Sequence, residues 1–258
     1  MTLFRNLSFI LNIYRNIKKQ VFWILVLVLT NIITLILLFV ISFRYGVPQK
    51  FLDRLGIISI PIKYNYKTEH YIERTKYFSE NTEKNIKIVM LGDSLTEGID
   101  WNELIERDDI SNQGIGEDTT EGFINRLEFV NQINPELCFI MGGINDLGKN
   151  VPINTVVNNI KLIIKYLEKN NIKPIIQSTL LVSEKWIFYE KRNKDIIELN
   201  RQLKKYCIEN NLIYLDINLQ LTKNGKLEEK YTNDGVHLLR NGYEKWKEIL
   251  IPIIYKFI

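Results

Sequence analysis

A serine, a histidine and a carboxylate can together turn a hydroxyl into a nucleophile, and this sequence offers few ways to assemble them. It contains only two histidines, His70 and His237. His70 falls in a charged stretch ahead of the regular part of the chain, whereas His237 closes Asn233-Asp234-Gly235-Val236-His237 after the last apolar run. Asp and His three residues apart can share one turn, so a single loop could deliver a base and the carboxylate that orients it. An isolated Asp-x-x-His is common on surfaces and gains meaning only beside a nucleophile. The best-placed hydroxyl is Ser94. The apolar run IKIVML (86–91) leads directly into Gly92-Asp93-Ser94-Leu95-Thr96-Glu97-Gly98, which puts a serine at a strand's carboxyl end and at the start of a turn or helix, where exposed N–H groups stabilise an anion. Asp-Ser in that position is equally a helix N-cap, and the segment is not the G-x-S-x-G elbow of the α/β-hydrolases.

Acyl transfer also needs donors aimed at the developing oxyanion. Asn112-Gln113-Gly114-Ile115-Gly116 could offer the Gly114 N–H, and Gly142-Gly143-Ile144-Asn145-Asp146 the Asn145 amide. Each segment alone also reads as an ordinary Gly/Asn turn. Asp93 and Asp146 read as structural carboxylates that bond nearby backbone. The stretch Leu181 to Tyr189, with Trp186 and Tyr189, could form a wall of the substrate site or simply be core and surface aromatics.

These groups must be carried by elements that bring them to one place. Short β-rich runs alternate with amphipathic segments from Asn85 onward. Strands are expected at 86–91, just before Asn112, and at 136–141, 174–181 and 212–217; helices at 101–107, 119–133, 154–169, 194–210 and 241–255. Strands interleaved with helices imply parallel pairing in a doubly wound, three-layer α/β sheet, and such sheets bind ligands beyond the carboxyl ends of their strands. The candidate residues all follow strands.

Taken together, Gly92-Asp93-Ser94-Leu95, Gly114, Gly143-Ile144-Asn145-Asp146 and Asp234-Gly235-Val236-His237 resemble the four sequence blocks of the SGNH (GDSL-type) hydrolases, in that family's order, over about residues 86–258. The resemblance implies a flavodoxin-like sheet and a triad of Ser94, Asp234 and His237. It also implies an oxyanion hole built from the N–H groups of Ser94 and Gly114 and the Asn145 amide, with no metal or organic cofactor. The expected activity is hydrolysis of short acyl, acetyl above all, esters of a small molecule or carbohydrate. The same triad could instead pass the acyl group to an acceptor hydroxyl, and a surface module that has kept the fold without catalysis is the reading from another class.

The remainder of the chain bounds this picture. From Val21 to Phe43 run 23 residues without a charge, enough to cross a bilayer core, which takes about 20. The run exceeds the apolar part of a signal peptide, and the sequence has no alanine for an A-x-A cleavage site, so a retained single-pass anchor in the lipid bilayer is expected. Lys18 and Lys19 abut the span, favouring an inner N-terminus and an extracytoplasmic domain. The expected organisation is a basic tail at 1–20, a transmembrane helix at 21–43, a stalk and charged helix at 44–84, and the hydrolase domain at 85–258. The basic excess of +4 equals the charge of the first twenty residues, so the rest is electrically neutral and carries no nucleic-acid footprint. Cys138 and Cys207 suit neither a disulfide framework nor a metal cluster and read as two free structural thiols.

Overall fold

The computed structural model describes residues 2–44, 65–81 and 83–258; the stalk part of the segment expected at 44–84 lies almost wholly outside them. The chain divides into two compact units, 1–60 and 61–258. The described part of the first is one helix, α1 (Thr2–Arg44). Its stretch Ile17–Leu38 is long and apolar enough to cross a membrane, with none of that window buried within the protein. Thr30 and Thr34 donate their hydroxyls to the carbonyls of Leu27 and Thr30, and the Asn31 amide donates to Leu27. These polar side chains thus spend hydrogen bonds on the helix itself.

The second unit opens with α2 (Glu69–Glu80), capped by the Thr68 hydroxyl accepting the Tyr71 N–H. There follow β1 (Ile88–Gly92), α3 (Ser94–Glu97), α4 (Trp101–Ile105), β2 (Ile110–Gly114), α5 (Thr120–Asn125), α6 (Leu127–Ile133), β3 (Leu137–Met141), α7 (Ile144–Gly148), α8 (Ile153–Lys169) and β4 (Lys173–Gln177). The chain continues with α9 (Tyr189–Glu209), β5 (Ile213–Leu215), α10 (Asn218–Leu221), the small hairpin β6 (Thr222–Lys223) and β7 (Lys226–Leu227), and α11 (Arg240–Phe257). The five main strands are all parallel, in the order β2-β1-β3-β4-β5. That is the flavodoxin-like order, whose direction reverses between β1 and β3.

Alternation along the strands divides the core between two faces. Val89, Leu91, Cys138, Ile140 and Ile176 meet Phe123, Val130, Ile160, Ile164, Leu199 and Leu203 on one side. Ile88, Met90, Phe139, Met141 and Ile175 meet Trp101, Leu104, Tyr243, Trp246 and Leu250 on the other. The expected three-layer α/β sheet is therefore present, and Cys138 and Cys207 are free, buried thiols.

Local departures from the sequence reading have identifiable causes. The strand expected at 174–181 ends at Gln177, because asparagine side chains take over its backbone groups. Asn200 pairs with both backbone groups of Thr179, Asn193 with both of Val182, and Asn218 Oδ1 accepts the Leu181 N–H. The helix expected at 119–133 breaks at Arg126, whose φ of −124° and ψ of 13° are not helical. The run 212–217 yields only the three-residue β5, and the helix expected from Lys194 begins five residues earlier, at Tyr189. The charged helix placed with the stalk packs on the sheet unit: Tyr71 and Phe78 are buried with Ile115.

Candidate active site

β1 ends at Gly92, and Asp93 caps α3 by accepting the Leu95 N–H at 3.0 Å, so Ser94 becomes the helix's first residue. Its N–H has no acceptor within so short a helix. Across the rim, Asp234 Oδ1 accepts the N–H groups of Val236 and His237, each at 2.9 Å, and folds 234–237 into one turn. Gly235, at φ +94°, allows the bend. In that turn the His237 Nδ1–H donates to Asp234 Oδ2 at 2.6 Å, and the Ser94 hydroxyl lies 2.9 Å from His237 Nε2. Three side chains from two distant loops thus form one hydrogen-bonded chain, Ser94 to His237 to Asp234.

Burial would raise the pKa of Asp234, but its bonds from the His237 ring and from two backbone N–H groups outweigh that. Its carboxyl is held well below the usual carboxylate range. The carboxylate thus remains an acceptor that fixes His237 in the tautomer with Nε2 free to take a proton. The imidazole and the carboxylate are about half exposed, 54% and 52%, so the chain of bonds sits on an open rim.

The three expected oxyanion donors are arranged unequally. Asn145 lies in the first turn of α7, which Gly143 enters at φ +110°; one of its amide protons goes to the Asp118 carbonyl at 2.9 Å, and a second proton remains on the same nitrogen. The Gly114 N–H is already donated to Asn112 Oδ1 at 2.9 Å. Gly114 also has a packing role, since a Cβ there would lie 2.2 Å from Glu97 N. Asp146 is buried and accepts both the N–H and the hydroxyl of Thr120. The Trp186 segment touches the Asp234–His237 turn through backbone, Ser183 N–H donating to the Gly235 carbonyl at 2.9 Å, while the Trp186 ring is 41% exposed. Tyr189 instead packs against the core with Lys226 over its ring.

Two features have no counterpart in the sequence reading. Arg126, fully buried, donates to the Gly92 carbonyl at 2.9 Å, to the Gln113 carbonyl at 2.7 Å and to Asp118 at 2.8 Å, tying the ends of β1 and β2 to the loop that carries the Asn145 acceptor. Glu97, three residues past Ser94, accepts the Gly116 N–H at 2.7 Å and contacts the His70 ring at 2.9 Å. Neither could be found by motif, because each depends on a partner far along the chain. Among the described residues no group of three or more His, Cys, Asp or Glu is arranged to hold a metal ion.

A doubly wound parallel sheet that brings a serine, a histidine and an aspartate into one hydrogen-bonded chain has the arrangement of a serine hydrolase. The GDSL-like lipase/acylhydrolase family model matches residues 90–245. The chain therefore belongs to that family, a class of hydrolases acting on ester bonds. In fold it is similar to a GDSL-like lipase from Bacteroides thetaiotaomicron (TM-score 0.64, 22% identity, covering 73% of this chain and 98% of that one). It is also similar to an acetyl xylan esterase (TM-score 0.57, 21% identity, 66% and 100%). In sequence it is 29% identical over 150 residues to an N-acylneuraminate cytidylyltransferase of Streptococcus agalactiae, covering 58% of this chain but only 34% of that protein.

Proposed function

We propose that the protein is a membrane-anchored serine esterase that removes short acyl groups, acetyl above all, from hydroxyls of a small-molecule or carbohydrate substrate. The observation that carries this reading is the unbroken bond chain from the Ser94 hydroxyl through His237 to Asp234. As Ser94 Oγ bonds to the ester carbonyl carbon, its proton passes to His237 Nε2, and ionised Asp234 stabilises the imidazolium. The carbonyl oxygen becomes an oxyanion, to be held by the Ser94 N–H and the Asn145 amide, with Gly114 joining once its N–H exchanges Asn112 for the substrate. Collapse breaks the bond to the alcohol oxygen, which leaves with the proton from His237. Water, deprotonated by the same ring, then cleaves the acyl-enzyme to carboxylic acid and regenerates the Ser94 hydroxyl. The open rim suits an ester presented on a large alcohol, and the fold's likeness to an acetyl xylan esterase supports an acetylated carbohydrate.

The anchor is the span expected at 21–43, whose 23 uncharged residues cover about 35 Å at 1.5 Å each, with Lys18 and Lys19 held inside and the second unit extracytoplasmic. A fluorophosphonate probe tests the chemistry. Wild type is expected to be labelled and to release acetate from 4-nitrophenyl acetate, and Ser94→Ala and His237→Ala to do neither while keeping the fold. A Ser94→Ala protein that still turns over ester would sink the reading, and acetyl appearing on an added sugar in excess of free acetate would make the enzyme a transferase.

A further inference from the structure

We propose a second binding site, for uncharged sugar residues, in the cleft between α2 and the edge strand β2. It rests on the esterase reading only in supplying the rest of the substrate molecule. The cleft measures about 500 Å³ and is lined by Arg74, Tyr77, Glu83, Glu97, Asn102 and Asn112 among others, a size ordinary for small-ligand pockets.

The polar groups of this cleft are left incompletely paired. Arg74 Nε and Glu83 Oε2 are buried without a hydrogen-bond partner. Arg74 Nε lies 3.3 Å from Glu97 Oε1 out of line, and its Nη2 reaches the Asn112 and Gly114 carbonyls only at 3.5 Å. A buried donor and a buried acceptor left open each cost roughly 1–3 kcal/mol. A ligand hydroxyl is donor and acceptor at once and can pair with either kind of group, which an apolar acyl chain cannot do. Tyr77, about half exposed, adds an aromatic wall, with Arg74 stacked at 5.5 Å.

Charge narrows the ligand further. Glu83, Glu97 and Asp100 face the cleft against one guanidinium, and Arg74 and His70 are both engaged by Glu97. The surplus is negative, so uronic or other acidic sugars are repelled and neutral ones admitted. The position also suits a glycan ester: Glu97 and Gly98 line the cleft at one end of the helix that begins with Ser94, roughly 5 Å along its axis. A sugar chain esterified at one ring can place a neighbouring ring there.

Titration calorimetry on the full chain in detergent micelles tests the site with neutral xylohexaose and chitohexaose and the anionic hexamer of galacturonate. At least one neutral hexamer is expected to bind wild type and Ser94→Ala equally, and the anionic one to bind more weakly. Glu83→Ala and Tyr77→Ala are expected to weaken neutral-glycan binding about tenfold each, or ~1.4 kcal/mol, with turnover of 4-nitrophenyl acetate unchanged. Wild type binding neither neutral hexamer, preference for galacturonate, or full binding by both variants would overturn the proposal. Hydrolysis without glycan binding defeats the cleft alone; glycan binding without hydrolysis defeats the esterase reading and leaves the cleft standing.

Discussion

Asp93 sits between the sheet and Ser94, and burial dominates its chemistry. It is fully enclosed, one oxygen accepts the Leu95 N–H, and the other has no partner. Desolvation pushes its pKa up to about 7, against the lowering effect of the Leu95 bond. An unfolded aspartate loses its proton near pH 3.9, so between about pH 4 and 7 the folded state holds a proton that the unfolded state has lost. Stability contributed at low pH is therefore lost as pH rises through that window. Denaturant unfolding at pH 4, 5.5 and 7 should show the difference between wild type and Asp93→Asn changing steadily with pH; a constant difference would mean that Asp93 is ionised throughout. Asn145 supports a second expectation. Asn145→Ala should lower kcat by about 10²–10³ with little change in KM, the usual loss for one oxyanion donor, and a parallel melting curve separates this from loss of its bond to Asp118. At this scale the sequence was informative where chemistry is local: Asp234 and His237 share one turn, and a serine after an apolar strand has a defined address. It was silent on Arg126 and on the Asn112 bond to Gly114, because neither the burial of a guanidinium nor the partner of an amide is encoded nearby.

At the level of elements, the site depends on how closely α3 approaches the end of β2. Gly114 pairs with Gly92 across the two strands, and a methyl group at 114 would fall 2.2 Å from Glu97 N and 2.6 Å from its Cα, both backbone atoms that cannot swing aside. Gly114→Ala should therefore lower both melting temperature and fluorophosphonate labelling, whereas Gly148→Ala, which meets nothing within 4 Å, should leave labelling intact. Arg126 binds the ends of the same two strands through the Gly92 and Gln113 carbonyls. Removing it in Arg126→Met strands the buried Asp118 carboxylate, a loss of about 3–5 kcal/mol, and pairing it with Asp118→Asn should restore part of that in denaturant titrations. Periodicity located these strands and helices but not their ends. The run 174–181 is apolar enough for a long strand, yet Asn200 and Asn218 from later elements capture N–H and C=O groups of its last residues. The break at Arg126 is likewise set by the three acceptors that its guanidinium reaches.

For the molecule as a whole, the order β2-β1-β3-β4-β5 sets β1 and β3 side by side at the point where the winding reverses, so Ser94 and Asn145 leave adjacent strand ends although fifty residues of chain separate them. The strand–helix alternation was sufficient to read this architecture, since parallel strands joined by helices have few ways to pack. What the alternation does not carry is the relation of the enzyme to its surroundings, and that turns on α1. Two fates are open to an apolar N-terminal helix: retention as an anchor or removal as a signal sequence. They differ in mass, in location and in what truncation does. As an anchor, α1 keeps the full chain in the membrane fraction through carbonate washing, with an N-terminal tag still attached and the second unit accessible to protease only from the side opposite Lys18 and Lys19. The sheet unit, 61–258, buries its own two-sided core and contains Ser94, Asp234 and His237. A chain begun at Pro61 should therefore be found in the soluble fraction and hydrolyse 4-nitrophenyl acetate with kcat within about twofold of the anchored enzyme, since Ser94, His237 and Asp234 all belong to that unit. Recovery of a shortened wild-type product in the soluble fraction without its tag would instead identify α1 as a cleaved leader and end the anchor reading, while leaving the chemistry at Ser94 untouched.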